Sequence, residues 1–313
     1  MQIYFVNFKG LNAVVMENKW LKLVVLPELG AKIASLIYKP QNFEVFFQPT
    51  DGCFRLSTYG AAFADFDTAG ADEMYPTIDA CKYPCGYYEG LQLPDHGELW
   101  SVPWRMKATG NRLCFKTRGR VLPYEFKRAM YLHDGCVQME YQIINTGDKP
   151  LYGVWAFHGL VACDESTQII LPEITTVVNV HESAKLGSAG TLYNFPETVD
   201  KSGATFRLDG IKPRTANDTE KLYVNGKVKT GQAALTLNNN RLLYQLMFPE
   251  NKVPYLGIWI NQGGFKGEYN CALEPASGFY DSPEIAYKLG SIEPLAPGTV
   301  LQWYLNIKLE ELP

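Results

Sequence analysis

Cys136-Val-Gln-Met-Glu-Tyr-Gln-Ile-Ile144 alternates without a break. Val137, Met139, Tyr141 and Ile143 fall on one side, and Gln138, Glu140 and Gln142 on the other. A period of two is the signature of a strand with one buried and one wetted face. The same alternation returns near the C-terminus, where Leu301, Trp303, Leu305, Ile307 and Leu309 interleave with Gln302, Tyr304, Asn306, Lys308 and Glu310. Working outward, comparable strands are expected at 20–26, 31–38, 43–48, 112–120, 124–132, 151–157, 221–224, 232–237, 241–248, 255–260 and 270–274. Asp134-Gly135, Asn145-Thr-Gly-Asp148, Asp209-Gly210, Asn225-Gly226 and Asn238-Asn-Asn240 supply turn chemistry between them. Many short strands with such punctuation point to an all-β sandwich or barrel rather than to βαβ units. One short helix is expected at Ser282-Pro-Glu-Ile-Ala-Tyr-Lys-Leu-Gly290, with Ser282 as cap, Pro283 at the first helical position and Gly290 closing the end.

Composition agrees. Aromatics make up 13% of the 313 residues, with 19 Tyr and 16 Phe, which suits packing on pleated surfaces. A chain of this length can bury a large core without disulfide or metal staples. Strand patterning is similar on both sides of the polar stretch 182–220, so residues 1–313 read as a single domain with a long excursion there. Net charge is −4 and no Lys/Arg run occurs, so neither nucleic acid nor an anionic membrane is an expected partner. There is no secretory leader pattern at the N-terminus and no apolar stretch near membrane-spanning length. The seven Cys are odd in number and scattered, with Cys81 and Cys85 the only close pair. That favours reduced thiols, a cytoplasmic protein and no structural metal.

Three residues stand where chemistry is plausible. His96 lies in Leu93-Pro-Asp-His-Gly-Glu-Leu-Trp100, between Pro94 and Gly97, which fix a tight loop. His158 ends the apolar run Leu151-Tyr-Gly-Val-Trp-Ala-Phe-His158, where a strand meets a loop. Taken alone, a histidine near aromatics is more often a packing residue than a catalytic one. Glu274 closes the apolar segment Tyr269-Asn-Cys-Ala-Leu-Glu274, and Pro275 fixes the backbone after it. Desolvation there would raise its pKa toward values useful in a base, although a solvated Glu is the commoner case. His133, before a turn, and His181, in a polar loop, read as solvated.

Taken together these segments resemble the galactose mutarotase-like superfamily (the aldose 1-epimerases). Val24-Val-Leu-Pro-Glu-Leu-Gly-Ala-Lys-Ile-Ala-Ser-Leu36 is similar to its N-terminal strand pair. Asp95-His96-Gly97-Glu98 is similar to the motif of its first active-site histidine, and Trp155-Ala-Phe-His158 to the strand carrying its second. Ala272-Leu-Glu274-Pro275 resembles the segment of its general base, and Leu295-Ala-Pro-Gly298 with Trp303-Tyr-Leu-Asn-Ile307 its closing strand. The resemblance spans nearly the whole chain. It implies a β-supersandwich and acid/base opening of a sugar ring at the anomeric carbon, without metal or cofactor. On it Glu274 takes the C1 hydroxyl proton, a protonated His158 gives one to the ring oxygen, and His96 holds that side and shares the role. The sugar would lie against aromatic walls drawn from Trp100, Trp155, Trp259, Tyr75 and Phe279, with Asp72, Glu73, Lys82 and Asn261 as hydroxyl clamps. The expected partner is a small sugar or sugar derivative, and the expected state a monomer or homodimer. The chain lacks the Asn-Arg pair that precedes the family's first histidine. It also reads Ala156-Phe-His-Gly-Leu160 where galactose mutarotases carry Asn-His-Ser-Tyr-Phe. These departures point to another aldose, a sugar phosphate or a glycan fragment. Two alternatives stand beside this reading: a non-catalytic carbohydrate-binding protein, and a hydrolase or lyase using Asp72 or Glu73 as a second carboxylate.

Overall fold

In a computed structural model covering residues 1–313, nearly all regular structure is antiparallel strand. Two large sheets carry it. The larger has thirteen strands. Its main path runs through Gln2–Phe8, Leu11–Glu17, Leu21–Leu26, Lys32–Tyr38, Ala71–Met74 and Ala156–Gly159, then Tyr269–Ala276, Tyr255–Gln262, Asp218–Val224, Thr176–Asn179 and Leu192–Asn194. The smaller, of eight strands, is centred on Val300–Glu311, with Leu242–Met247 on one side and Cys136–Asn145 and Tyr124–His133 on the other. No helix is long and apolar enough to cross a membrane.

The alternation expected at 136–144 and 301–309 is present, and these two strands pair with each other, Tyr141 opposite Trp303. Their apolar faces meet the larger sheet in one cluster of 60 buried residues, which includes Leu256, Ile258, Ile260, Cys271, Leu273, Phe157 and Trp155. Tyr141 and Trp303 stack at 5.1 Å, and this rigid aromatic surface contributes through its large buried area. The helix forms at Pro283–Lys288, and Ser282 Oγ accepts from Ile285 N at 3.2 Å. Two expected strands are shorter than their apolar runs. Of 151–157 only Ala156–Gly159 is a strand, with Leu151 making an isolated bridge to Leu295. Of 43–48 only Phe43–Glu44 is, with a bridge from Phe46 to Val161. Apolar runs of this kind are buried by packing whether or not they pair, so periodicity alone did not mark their limits.

The outer face of the larger sheet is also covered. Met74, Ala156, Tyr223, Tyr255 and Ala276 form a second apolar cluster beneath loops and the helix, and Ala13, Val15, Val24 and Ala34 a third near Phe54. The central strands of this sheet are therefore buried on both faces and read as near-continuous apolar runs, while the edge strands Gln2–Phe8 and Leu192–Asn194 stay partly exposed.

Alternation separates two neighbours that were expected to act together. In Ala71–Met74, Glu73 points into the inter-sheet core. It accepts from Arg128 Nη1 at 2.9 Å, Tyr141 Oη at 2.9 Å and Trp155 Nε1 at 2.8 Å. Glu73 and Arg128 are fully buried, so Glu73 is a structural ion-pair partner and not a clamp on a ligand. Trp155 is core for the same reason. Removing one member of such a pair leaves a buried, uncompensated charge. Glu73→Ala is expected to lower stability by about 3–5 kcal/mol, measured as the shift in denaturant midpoint. An unchanged midpoint would contradict the assignment.

Candidate active site

Above the outer face of the larger sheet, loops enclose a cavity of about 310 Å³. His96, His158 and Glu274 all line it, together with Trp259. Strand register explains the meeting. Ala156 pairs with Ala276, and five residues on Val161 pairs with Cys271. The same offset brings His158 level with Glu274. Residues level across antiparallel strands share a face. The row continues on both sides, from His158 to Asp72 and from Glu274 to Gly257 and Tyr223.

Glu274 is fully buried. Lys221 Nζ donates to its Oε2 at 2.5 Å, and Oε1 has no partner. Lys221 reaches it across Gly257. A Cβ at 257 would lie 3.3 Å from both Glu274 Cβ and Tyr223 Cζ, so the bare glycine keeps this part of the row open. Burial raises the Glu274 pKa above the usual carboxylate value, and Lys221 opposes the rise. For Lys221, burial works against the charge, but the Asp281 and Glu274 carboxylates outweigh it and hold the ammonium protonated.

His96 sits on a loop held at both ends. Its N donates to Ile78 O at 2.6 Å, Glu98 N donates to Tyr75 O at 2.8 Å, and Glu98 Oε1 accepts from Arg120 N and Val121 N. His96 itself is left-handed, with φ of 57°, a conformation costly for a residue other than glycine and kept only where surroundings enforce it. Asp95 fixes the ring. Its Oδ1 lies 2.8 Å from His96 Nδ1 and its Oδ2 accepts from Phe63 N at 2.7 Å. Phe63 stacks on the imidazole at 4.0 Å, 5° from parallel. Burial would raise the Asp95 pKa, but the hydrogen bonds from His96 and Phe63 outweigh it and hold the carboxyl low. Nε2 is then the ring nitrogen left for a ligand.

His158 meets His96 edge-on, ring centroids 5.4 Å apart. It is 8% exposed and its Nδ1 has no partner. Burial pushes its pKa well below 6.5, and His96, Lys221 and Lys32 add to the effect. His158 is thus neutral near pH 7, against the expectation of a protonated acid there.

The other expected ligands divide. Asp72 stands opposite His158 but is buried behind the cavity, where Lys32 Nζ lies 2.7 Å from its Oδ2 and 3.0 Å from Asp67 Oδ2. Burial raises its pKa to about 6 despite Lys32. Trp100 forms a layer behind the wall, its edge on Phe63 and its indole NH donating to Asp95 O at 3.1 Å. Asn261 is buried and spent on its own loop, bonding both N and O of Phe265. Lys82 is exposed on the Cys81–Lys82/Gln92–Leu93 hairpin, away from the cavity. Tyr75 is core, and Phe279 packs against Tyr223.

Several lining residues carried no sequence signal. Lys221 lies within an expected strand, where a lone Lys reads as solvent-facing. His181 is exposed, as expected, and also lines the cavity with Asp79 and Asp281. Its Nε2 is 3.1 Å from Asp79 Oδ2 and 3.5 Å from Asp281 Oδ2. The hydrogen bond it makes to Asp79 raises its pKa against the opposing effect of burial. Thr68, Glu268 and Asn270 complete the far wall, where Thr68 Oγ1 donates to Glu268 and Trp259 Nε1 to Asn270 Oδ1.

No family model matches the chain, and no curated protein matches it. Solved structures match it in fold. A galactose mutarotase related enzyme of Lactobacillus acidophilus aligns over 95% of this chain and 97% of its own at 14% identity, with a TM-score of 0.69. A galactose mutarotase-like protein of Lactobacillus casei covers 95% and 100% at 17% identity, TM-score 0.66. A Synechocystis protein covers both chains fully at 15% identity, TM-score 0.71. Likeness at these identities is likeness of fold.

The loop geometry makes one demand on sequence. A Cβ at Gly97 (φ 71°) would fall 2.4 Å from Tyr75 O. Gly97→Ala is expected to cost more than about 1 kcal/mol and to displace His96. A thermal melt with the histidine ring resonances as second readout checks this, and wild-type values in both would contradict it.

Proposed function

We propose, from the galactose mutarotase-like fold of this chain, that it interconverts the anomers of an aldose. The observation that carries the reading is the free Oε1 of buried Glu274, level with His158 on one cavity wall that also holds His96.

The chemistry needs a base at the C1 hydroxyl and an acid at the ring oxygen. Glu274 is the base. Its Oε1 has no other partner to give up, and Lys221 keeps the carboxylate in place and opposes the rise of its pKa. His96 is the acid. A positive charge on that ring would lie against the Asp95 carboxylate, and Nε2 is the free nitrogen. His158, neutral, donates or accepts a hydrogen bond to orient the ring-oxygen side. This exchanges the two histidine roles expected from sequence, because the buried His158 is the poorer carrier of charge. As Glu274 takes the O1 proton and His96 gives one to O5, the C1–O5 bond breaks and the open aldehyde forms. Rotation about C1–C2 and reversal of both transfers closes either anomer and restores both groups. Each positioned transfer supports an acceleration of about 10²–10⁴, and fixing the sugar between them adds more. Trp259 offers an apolar wall for a sugar C–H face.

Anomer exchange followed by exchange NMR across common aldoses tests this. The expected result is acceleration for at least one sugar, reduced about 10²–10⁴-fold in Glu274→Gln with sugar binding retained. Binding without acceleration for any sugar would favour a carbohydrate-binding protein instead. The pH profile gives an independent check. The active base is ionised, so rate falls as pH drops through the raised Glu274 pKa. Lys221→Met removes the group that opposes that rise, so the acid limb should move to higher pH. A limb that stays in place, or moves lower, would contradict the role of Lys221.

A further inference from the structure

We infer that Asp79, His181 and Asp281 form a binding site for one divalent transition-metal ion, of the zinc or manganese class, at the edge of the cavity. One ligand atom from each lies within 4.8 Å of the other two. The separations from His181 Nε2, 3.1 Å to Asp79 and 3.5 Å to Asp281, suit a shared ion. Ligands about 2.1 Å from a tetrahedral zinc stand about 3.4 Å from one another. Two carboxylates and an imidazole are a donor set that zinc and manganese both accept.

The buried member of the set points to a ligand independently of that spacing. Asp281 is 1% exposed, and its Oδ2, the oxygen facing His181, has no hydrogen-bond partner. A buried carboxylate oxygen without a hydrogen bond, with only the His181 ring nitrogen 3.5 Å away, is costly. A cation shared with Asp79 and His181 would satisfy it.

The site is also held in shape. Tyr223 Oη donates to Asp281 Oδ1 at 2.9 Å, an outer contact of the kind that orients metal-binding carboxylates. Ile78 N and Asp79 N both donate to Asp281 O, at 3.0 and 2.7 Å, so the two acidic residues are joined through their backbones. Asn179 Nδ2 donates to His181 O at 3.2 Å. Charge fits as well. With Glu274 and Lys221 adjoining, three carboxylates face one ammonium, and a divalent cation would balance the group. All three ligands line the cavity, so the remaining positions on the ion would face oxygen donors such as sugar hydroxyls.

Calorimetric titration of the metal-stripped full chain with ZnCl₂, and separately with MnCl₂, tests the inference. The expected result is one ion per chain, with affinity lowered at least about tenfold in Asp79→Asn and in His181→Ala. Both side chains are about half exposed (47% and 49%), so these variants should fold, which a thermal melt checks. Glu274→Gln should keep the ion, which separates this site from the acid/base reading: anomer exchange can fail while metal binding stands, and the reverse. No uptake of either ion, or uptake unchanged in both variants, would overturn the inference.

Discussion

A sheet buried on both faces must divide its side chains by parity, and the rest of this molecule follows from that division. In the strand Tyr269–Ala276, Cys271 and Leu273 face the core between the sheets, while Ala272, Glu274 and Ala276 face outward. In Tyr255–Gln262, Leu256, Ile258 and Ile260 go inward, and Gly257 and Trp259 outward. A one-residue slip would exchange the two sets. It would place Glu274 among the leucines and leave the cavity without its carboxylate. Packing in the core therefore fixes the register, and the register fixes the site.

Placing a carboxylate and an ammonium at near-zero exposure is costly, and a buried pair is weak evidence for stability. The Lys221–Glu274 pair makes more sense as a device that holds one oxygen free and charged. Its neighbour Arg128–Glu73, on the other face, has Tyr141 and Trp155 as further donors and joins the two sheets. Of these two pairs, Arg128–Glu73 is structural, with every contact of its carboxylate inside the core, whereas Lys221–Glu274 leaves Glu274 Oε1 without a partner beside the cavity.

Strand alternation was plain in the sequence because the smaller sheet wets one face, and His96, His158 and Glu274 stood out because polar residues interrupt apolar segments. Asp72 and Glu73 show where such reading ends. Adjacent in sequence and both acidic, they were indistinguishable until alternation placed one behind the cavity and one in the core. Lys221, His181 and Asp281 were unmarked for a different reason. They arrive from three distant segments, and only the strand order and the excursion through 182–220 bring them together. Trp100 and Asn261 lie near enough to shape the wall, but their polar atoms are taken by Asp95 and Phe265, a fact of local bonding that residue type does not reveal.

The most direct test of Glu274 as the base at C1 is the crystal structure of Glu274→Gln with an aldose bound. The sugar is expected in the cavity with its C1 hydroxyl at hydrogen-bond distance from residue 274, its ring oxygen toward His96 and His158, and a C–H face on Trp259. A sugar bound with C1 turned away from residue 274, or bound elsewhere on the protein, would contradict it.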